Sequence, residues 1–322
     1  MTGTWLRRAL MLAACAAATL LAGCGSSTVS AFTPTRVISF GDAFSDVGNL
    51  GVNSKYTVND GSTDNWAQEV AADFGLALTP SNSGGLGYAQ GNARIALTPD
   101  AAGGTTTQTV TQQIDSFLAS NSFQPGDLVL INGGISDIVY NWQQMTAGNI
   151  TQAQMSANVT AAANALGAQV QRLVSAGAQH VIVVGTYNLG VSPWAAMIGQ
   201  GGLTSALGNL TVQFNDSLLL SIVNLGTNVL YIDSAFYFNL VTSVPTAYPP
   251  LVNGTGVACT SVDAGPGIGI GAGQVNSSLC NTGTIVPGID YTTYLFADPL
   301  YFAPSAQRLF GDSTYNKITQ RF

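Results

Sequence analysis

The sequence predicts an α/β protein of one domain, built as a three-layer α/β/α sandwich around a central parallel sheet. Two observations predict this fold. Short β-branched runs, each ending in Gly or Asp, recur along the chain, and helical patterns lie between them. This alternation is typical of parallel strands whose connecting helices cover both faces of the sheet. No linker-like segment interrupts it before residue 240, which favours one domain over two.

The elements follow one another in a regular order. The strands are predicted at RVISFG (36–41), DLVLING (127–133), HVIVVG (180–185) and NVLYID (228–233). The helices are predicted near 62–75, 107–120, 152–176 and 203–225. From 242 to 290 the pattern dissolves into Pro, Gly, Ser and Thr, which we interpret as a long surface excursion. Functional residues of such sheets gather where the strands end, so the segments after the strands are the ones to inspect.

The beginning of the chain has the layout of a secretory signal. Two arginines precede an apolar run from Ala9 to Ala22, which is too short to span a bilayer comfortably. The run leads into LLAGC, which resembles a bacterial lipobox and would make Cys24 a lipidated first residue. We therefore expect a lipoprotein signal over 1–23, a flexible tether over 24–35 and a lipid-anchored protein of the cell envelope. Cleavage by an ordinary signal peptidase, giving a secreted protein, is the alternative.

Composition supports export and excludes one class of partner. The chain has 322 residues, of which only 8% are charged, with 9 Lys+Arg against 16 Asp+Glu. Nucleic-acid binding needs a basic patch, so no nucleic-acid partner is expected. The glycine-rich stretches carry neither the Lys-Ser/Thr pair nor the strand-to-helix setting of a phosphate loop, and no cofactor is predicted.

Two cysteines remain in the body of the chain. Cys259 and Cys280 flank a glycine-rich stretch that has no helical or strand period. In an oxidising compartment this arrangement predicts a disulfide that closes the loop. A metal site is poorly supported, because no His and few carboxylates lie nearby.

The segment after the first strand, GDAFSDVGN, has a distinctive pattern. It resembles the first block of the GDSL or SGNH hydrolases, a family of esterases and lipases. In that block Gly-Asp-Ser is followed by the pattern x-Ser/Thr-Asp-x-Gly-Asn. Every position of the block agrees except the nucleophilic serine, whose place is taken by Ala43. The neighbouring Asp42 is expected to fix the turn, since a turn of this kind needs an acceptor for local N–H groups.

Three further segments extend the resemblance over essentially the whole mature chain. YAQGNARI matches the block that supplies an oxyanion-hole glycine, here Gly91. GGISDI matches the block with an oxyanion-binding asparagine, but Ser136 stands in that place. ADPLYFAP matches the block with the catalytic Asp and His, and it supplies Asp298 followed by Tyr301 at the His position.

The resemblance implies the fold more strongly than it implies the chemistry. In the family, a serine attacks an ester carbonyl, a histidine takes its proton, an aspartate orients the histidine, and N–H and amide groups hold the oxyanion. Ala43 cannot attack, and a tyrosine with an ordinary pKa of about 10 is a poor base at neutral pH. A single laboratory knockout would have left the His and Asn positions intact. We therefore expect a pseudoenzyme that keeps a cleft for an acyl ester, a glycan or a protein.

An active ester hydrolase with a rearranged site is the alternative. Ser45 or Ser136 would then act together with a carboxylate. Ser45, however, lies where a hydroxyl ordinarily caps a turn. His180, the sole histidine of the chain, precedes its strand and is expected at the opposite end of the sheet.

Overall fold

A central parallel sheet organises the protein. The computed structural model describes residues 32–51, 54–61 and 65–322. Within these residues the main sheet has the order β1-β2-β3-β4, with parallel neighbours throughout. Its strands are β1 (Arg36–Phe40), β2 (Asp127–Asn132), β3 (His180–Val184) and β4 (Val229–Ile232). All the predicted strands are confirmed, and so is the parallel α/β architecture.

The backbone at 86–88 extends the sheet beyond β1. The N–H of Ser39 donates to Leu86 O at 3.0 Å, and the N–H of Tyr88 donates to Ser39 O at 2.7 Å. Strand β1 therefore has neighbours on both sides, and its carboxyl end lies inside the sheet.

The helices form two groups around the sheet. The α-helices within the described residues are α1 (Trp66–Asp73), α2 (Val110–Ser120), α3 (Ile135–Thr146), α4 (Gln152–Ser175), α5 (Pro193–Met197), α6 (Ala206–Ile222), α7 (Ser234–Ser243) and α8 (Pro304–Arg321). Helices α2, α3, α4 and α6 belong to one group, in which α4 packs on α6. Helices α1 and α8 pack on each other in the second group.

Local capping explains where several helices begin. Asn65, Thr109 and Thr151 each cap a helix through the side-chain oxygen, and a Gln three residues later closes each capping box. The four predicted helices correspond to α1, α2, α4 and α6. Helices α3, α5, α7 and α8 were not predicted.

The excursion predicted at 242–290 has more order than its composition suggests. Helix α7 extends to Ser243, and β5 (Asn253–Val257) pairs with β8 (Tyr294–Phe296). The two-residue strands β6 (Val262–Asp263) and β7 (Gln274–Val275) form a hairpin. Strands β6, β7 and β8 are too short to show a period of two, and β5 contains two glycines. The predicted disulfide is confirmed, because Cys259 and Cys280 are bonded across a sequence separation of 21.

The beginning of the chain lies largely outside the described residues. This holds for the predicted signal over 1–23, for Cys24 and for the tether up to residue 31. The last tether residues pack on the domain: the Phe32 ring stacks on His180 at 3.6 Å, and Thr35 N–H donates to Gly126 O at 2.7 Å. Among the described helices, none combines the length and the apolar character needed to cross a bilayer.

Candidate functional site

The turn after β1 is held rigidly by its neighbours. A Cβ on Gly41 would lie 1.8 Å from Asn132 Oδ1, so only glycine fits there. The Gln113 side chain of α2 brackets the same residue, because its oxygen accepts from Gly41 N–H at 2.8 Å and its nitrogen donates to Gly41 O at 2.9 Å. The backbone platform of the first block is therefore intact.

Asp42 fixes this turn, as predicted from its position. Its Oδ1 accepts from Phe44 N–H at 3.1 Å and from the Asn132 side-chain amide at 2.7 Å. Complete burial raises the pKa of Asp42 to about 6, although these hydrogen bonds and the nearby Ile135 N–H oppose the rise. A proton therefore binds this carboxyl more readily than it binds an ordinary aspartate.

Ala43 and Ser45 offer no activated nucleophile. Ala43 is 2% exposed, and its methyl group packs in the hydrophobic core. Ser45 is also buried, and its hydroxyl donates to Asn132 Oδ1 at 2.6 Å. An amide oxygen is not a base, so this hydrogen bond orients the hydroxyl without activating it.

The backbone N–H of Gly91 is engaged by a carboxylate. It donates to Asp46 Oδ2 at 2.8 Å, and Asp46 Oδ1 accepts from the N–H groups of Gly48 and Asn49. Burial raises the pKa of Asp46 to about 6. A Cβ on Gly91 would lie 1.8 Å from the Tyr56 hydroxyl oxygen, so the tyrosine covers this glycine. The predicted oxyanion donor therefore has a protein partner already.

Ser136 lies in the first turn of α3, directly beyond β2. The turn depends on Gly134, where φ is 113° and a Cβ would lie 2.5 Å from Phe214 Cζ. Ser136 is 1% exposed, and its hydroxyl has no hydrogen-bond partner among the described residues. Its neighbour Asp137 pairs with Arg94 at 3.2 Å and holds the β2–α3 connection in place. No base contacts the Ser136 hydroxyl in the described part of the chain.

Asp298 is satisfied without a histidine. Its Oδ1 accepts from the N–H groups of Leu300 and Tyr301 at 2.8 and 2.7 Å. Its Oδ2 accepts from Ser277 N–H at 2.9 Å and from the Ser277 hydroxyl. Burial raises the pKa of Asp298 to about 6, against the effect of these hydrogen bonds. Ser277, from the disulfide-closed loop, therefore occupies the carboxylate oxygen that faces away from the turn.

Tyr301 is a packed core residue. It is 1% exposed, and its ring contacts the Tyr56 ring edge-on at 5.2 Å between centroids. Burial raises the pKa of Tyr301 far above its usual range, and the carboxylates of Asp42 and Asp298 add to the rise. The phenol is therefore neutral at physiological pH and cannot act as a general base.

Three of the predicted site residues lie near one another, with additions that the motifs did not reveal. The carboxylates of Asp42 and Asp298 are close enough to Tyr301 to raise its pKa. Tyr56 contacts the Tyr301 ring and Ser277 contacts Asp298, and no pattern in the sequence indicates these contacts. Asn132 could have been identified, because it is a polar residue at the end of a buried strand.

The remaining titratable clusters lie elsewhere. His180 is the first residue of β3, at the opposite end of the sheet as predicted, and burial lowers its pKa. The carboxylates of Glu69, Asp73 and Asp312, on α1 and α8, approach within 4.8 Å of one another. They lie on the helical layer, and nothing further in the described residues associates them with an ion.

An open cavity lies beside the closed site. It has a volume of about 290 Å³, and we call it the carboxyl-edge cavity. Its wall combines the segment Gly190–Pro193 after β3, Asn239 and Thr242 of α7, and Thr255 of β5. The backbone N–H of Trp194, next to this wall, donates to Pro299 O at 3.0 Å. This hydrogen bond links the cavity wall to the Asp298 turn. The Trp194 side chain itself is buried in the core.

Comparison with known proteins identifies the family of this chain. A family model described as GDSL-like Lipase/Acylhydrolase matches residues 37–241. One solved crystal structure is similar over 89% of this chain and 97% of its own, at 12% identity and a TM-score of 0.48. No curated protein matches significantly. The match over 37–241 spans most of the chain, including the first three blocks around Ala43, Gly91 and Ser136, and this protein belongs to the GDSL-like lipase/acylhydrolase family.

Proposed function

We propose that this protein is an exported member of its family that binds a ligand and does not hydrolyse esters. One observation carries the proposal. The positions of the nucleophile, the oxyanion amide and the base hold Ala43, Ser136 and Tyr301, and each of these side chains is at most 2% exposed. An ester could not reach these groups without rearrangement of the loops above them. Loss of both nucleophile and base should in any case remove most of the rate acceleration.

The alternative is a hydrolase with a rearranged site. Its candidate nucleophiles are Ser45, which donates to the Asn132 amide oxygen, and Ser136, which has no partner among the described residues. Neither hydroxyl contacts a carboxylate or an imidazole in that part of the chain. The buried aspartates accept hydrogen bonds from backbone N–H groups and are committed to the turns. These contacts favour the binding protein.

The carboxyl-edge cavity is the site that supports ligand binding best. It is open to solvent, whereas the inherited site is filled by Tyr56 and Tyr301. Most of its accessible surface is apolar, and the wall combines glycines with the apolar side chains of Val191, Pro193, Ala196 and Leu203. Its polar side chains are hydroxyl and amide groups without charge: Ser192, Asn239, Thr242, Ser243 and Thr255. Its volume of about 290 Å³ suits a short acyl or aryl group, and we prefer this class to a glycan or a protein segment.

Hydrolysis of short-chain aryl esters tests the absence of activity. The unaltered chain from Cys24 onward is expected to release p-nitrophenol from acetate and butyrate esters no faster than buffer. The Ser45→Ala and Ser136→Ala variants are the matched controls. Turnover by the unaltered protein that one of these substitutions abolishes would overturn the proposal in favour of the rearranged hydrolase.

Binding needs a separate experiment. An environment-sensitive aryl-acyl probe should bind the unaltered protein and lose affinity when Ala196→Trp fills the carboxyl-edge cavity. A tryptophan at the exposed position Leu97 serves as the control. Equal binding by both variants would contradict the assignment of this cavity.

We also propose that the chain is anchored in the cell envelope through Cys24. The support is the lipobox-like LLAGC after an apolar run and the low content of charged residues. Mass spectrometry of the purified membrane fraction should find an acylated N-terminal Cys24, and Cys24→Ala should release the protein from that fraction. An unmodified N-terminus elsewhere, with protein in the medium, would indicate ordinary secretion.

A further inference from the structure

An apolar groove lies at the amino edge of the sheet, where α6 ends and β4 begins. We call it the amino-edge groove and define it by Leu219, Leu220, Val223, Val229 and Tyr231. Leu220 is 76% exposed and Val223 is 69% exposed. Because α6 runs antiparallel to the strands, its last turn lies at the end of the sheet opposite the inherited site. Aliphatic side chains clustered in this way indicate a surface that something covers.

The described chain begins beside this groove. Phe32 stacks on His180, the first residue of β3, and the next residue, Val181, pairs with Val229 of the groove. On the other side, the Arg321 guanidinium donates to Gly226 O at 3.3 Å, between α6 and β4. Adjacent strands lie about 4.8 Å apart, so only a few side chains separate Phe32 from the groove.

The reach of the chain limits where an anchor could lie. Eight residue steps separate Cys24 from Phe32. Even a fully extended chain covers at most roughly 29 Å over eight steps. A lipid on Cys24 would therefore keep the amino edge of the sheet close to the bilayer.

We propose that the amino-edge groove rests on the bilayer that holds the Cys24 lipid, with Leu220 and Val223 inserted at the boundary between headgroups and acyl chains. This inference rests on the lipid anchor proposed above. Lys317 and Arg321 lie on the last turns of α8 at the same edge, whereas Asp216 lies one turn back along α6. The mixture of charges does not select an anionic surface, and the apolar side chains make the contact with a zwitterionic one.

Chemical coupling of a lipid to Cys24 tests this proposal independently of whether the protein is lipidated in cells. The chain from Cys24 onward contains every described residue, and its only other cysteines form the Cys259–Cys280 disulfide. Its free Cys24 thiol can be coupled to a maleimide lipid in phosphatidylcholine vesicles. The outcome then depends neither on lipidation in cells nor on the absence of ester hydrolysis.

Tryptophan quenching reports the orientation. Leu220→Trp places a probe in the groove, and Leu97→Trp is the matched control at an exposed leucine that is 60% accessible. The native tryptophans of the chain from Cys24 onward, Trp66, Trp142 and Trp194, are buried and contribute a constant background. On vesicles that contain brominated phosphatidylcholine, we expect several-fold stronger quenching of the tryptophan at 220 than of the one at 97.

Two fluorescence results would overturn the proposal. The first is equal quenching of the two variants, or stronger quenching at 97. The second is shielding of the tryptophan at 220 without vesicles that increases with protein concentration, which would identify a second copy of the chain as the occupant. Hydrogen exchange of the unaltered protein gives a measurement free of substitutions. Residues 219–229 should gain protection on tethering, and unchanged exchange there would also contradict the proposal.

Discussion

Three buried aspartates predict that the protein is more stable at mildly acidic pH than at neutral pH. Burial raises the pKa values of Asp42, Asp46 and Asp298 to about 6, against an ordinary value of 3.8. Between these values the folded state holds protons that the unfolded state has released. The free energy of unfolding is therefore highest below pH 4 for these groups, and it falls as pH rises through 6.

The size of the effect follows from the same values. A carboxyl whose pKa moves from 3.8 to about 6 stabilises the folded state at pH 5 by about 1.4 kcal/mol relative to pH 7.5. Three such groups acting independently give about 4 kcal/mol over this range.

Urea unfolding, followed by tryptophan fluorescence from pH 7.5 to pH 5, measures this dependence. Asp42→Asn is the informative variant. Its amide oxygen can keep the hydrogen bonds that Oδ1 accepts, and its amide nitrogen replaces Oδ2, which has no hydrogen-bond partner among the described residues. We expect the variant to lose about a third of the pH dependence that these three aspartates contribute. Higher stability at pH 7.5 than at pH 5, or an unchanged slope in Asp42→Asn, would refute the reasoning.

The remaining predictions concern stability at fixed pH. Replacing Cys259 and Cys280 by serine should lower the free energy of unfolding by about 3 kcal/mol, since the bridge spans 21 residues; an unchanged urea midpoint would contradict this. Gly41→Ala should cost about 1–3 kcal/mol and lower the thermal midpoint, because the new Cβ would overlap Asn132 Oδ1, whereas wild-type melting would show that the turn can relax. Phe238 of α7 is fully buried and its ring stacks on that of Phe302 at 3.8 Å between centroids. Phe238→Ala should therefore cost about 3–5 kcal/mol in chemical unfolding, with Phe238→Leu clearly milder; equal losses would disagree with this packing role.

The central sheet could be predicted because its signals are local. Each main strand is a β-branched run that ends in Gly or Asp, and three of the four predicted helices begin with a capping box. Strands β5 and β8 have no such signal, because each is stabilised by a partner far away in sequence. Strands β6 and β7 form a hairpin but are too short to show a pattern. Helix α8 could not be predicted either, because its apolar and polar residues are mixed without a clear apolar face.

The site shows the same division. The motif positions Ala43, Gly91 and Ser136 could be located, since each follows a recognisable segment. What surrounds them could not, because Tyr56 and Ser277 reach the site through tertiary packing. The sequence therefore indicates which of the family's catalytic side chains are absent from the motif positions. Only the fold shows which side chains fill the space around those positions.

The bond between Ser277 and Asp298 bears on what this site would need for ester hydrolysis. A histidine at position 301 would meet an aspartate whose Oδ2 already accepts from Ser277. A serine at position 43 would lie at a position that is only 2% exposed. These two substitutions would therefore not suffice for turnover, because the aspartate would stay engaged and the serine covered. The loop between Cys259 and Cys280, which carries Ser277, would have to change as well, so the disulfide-closed loop decides whether the motif positions can act.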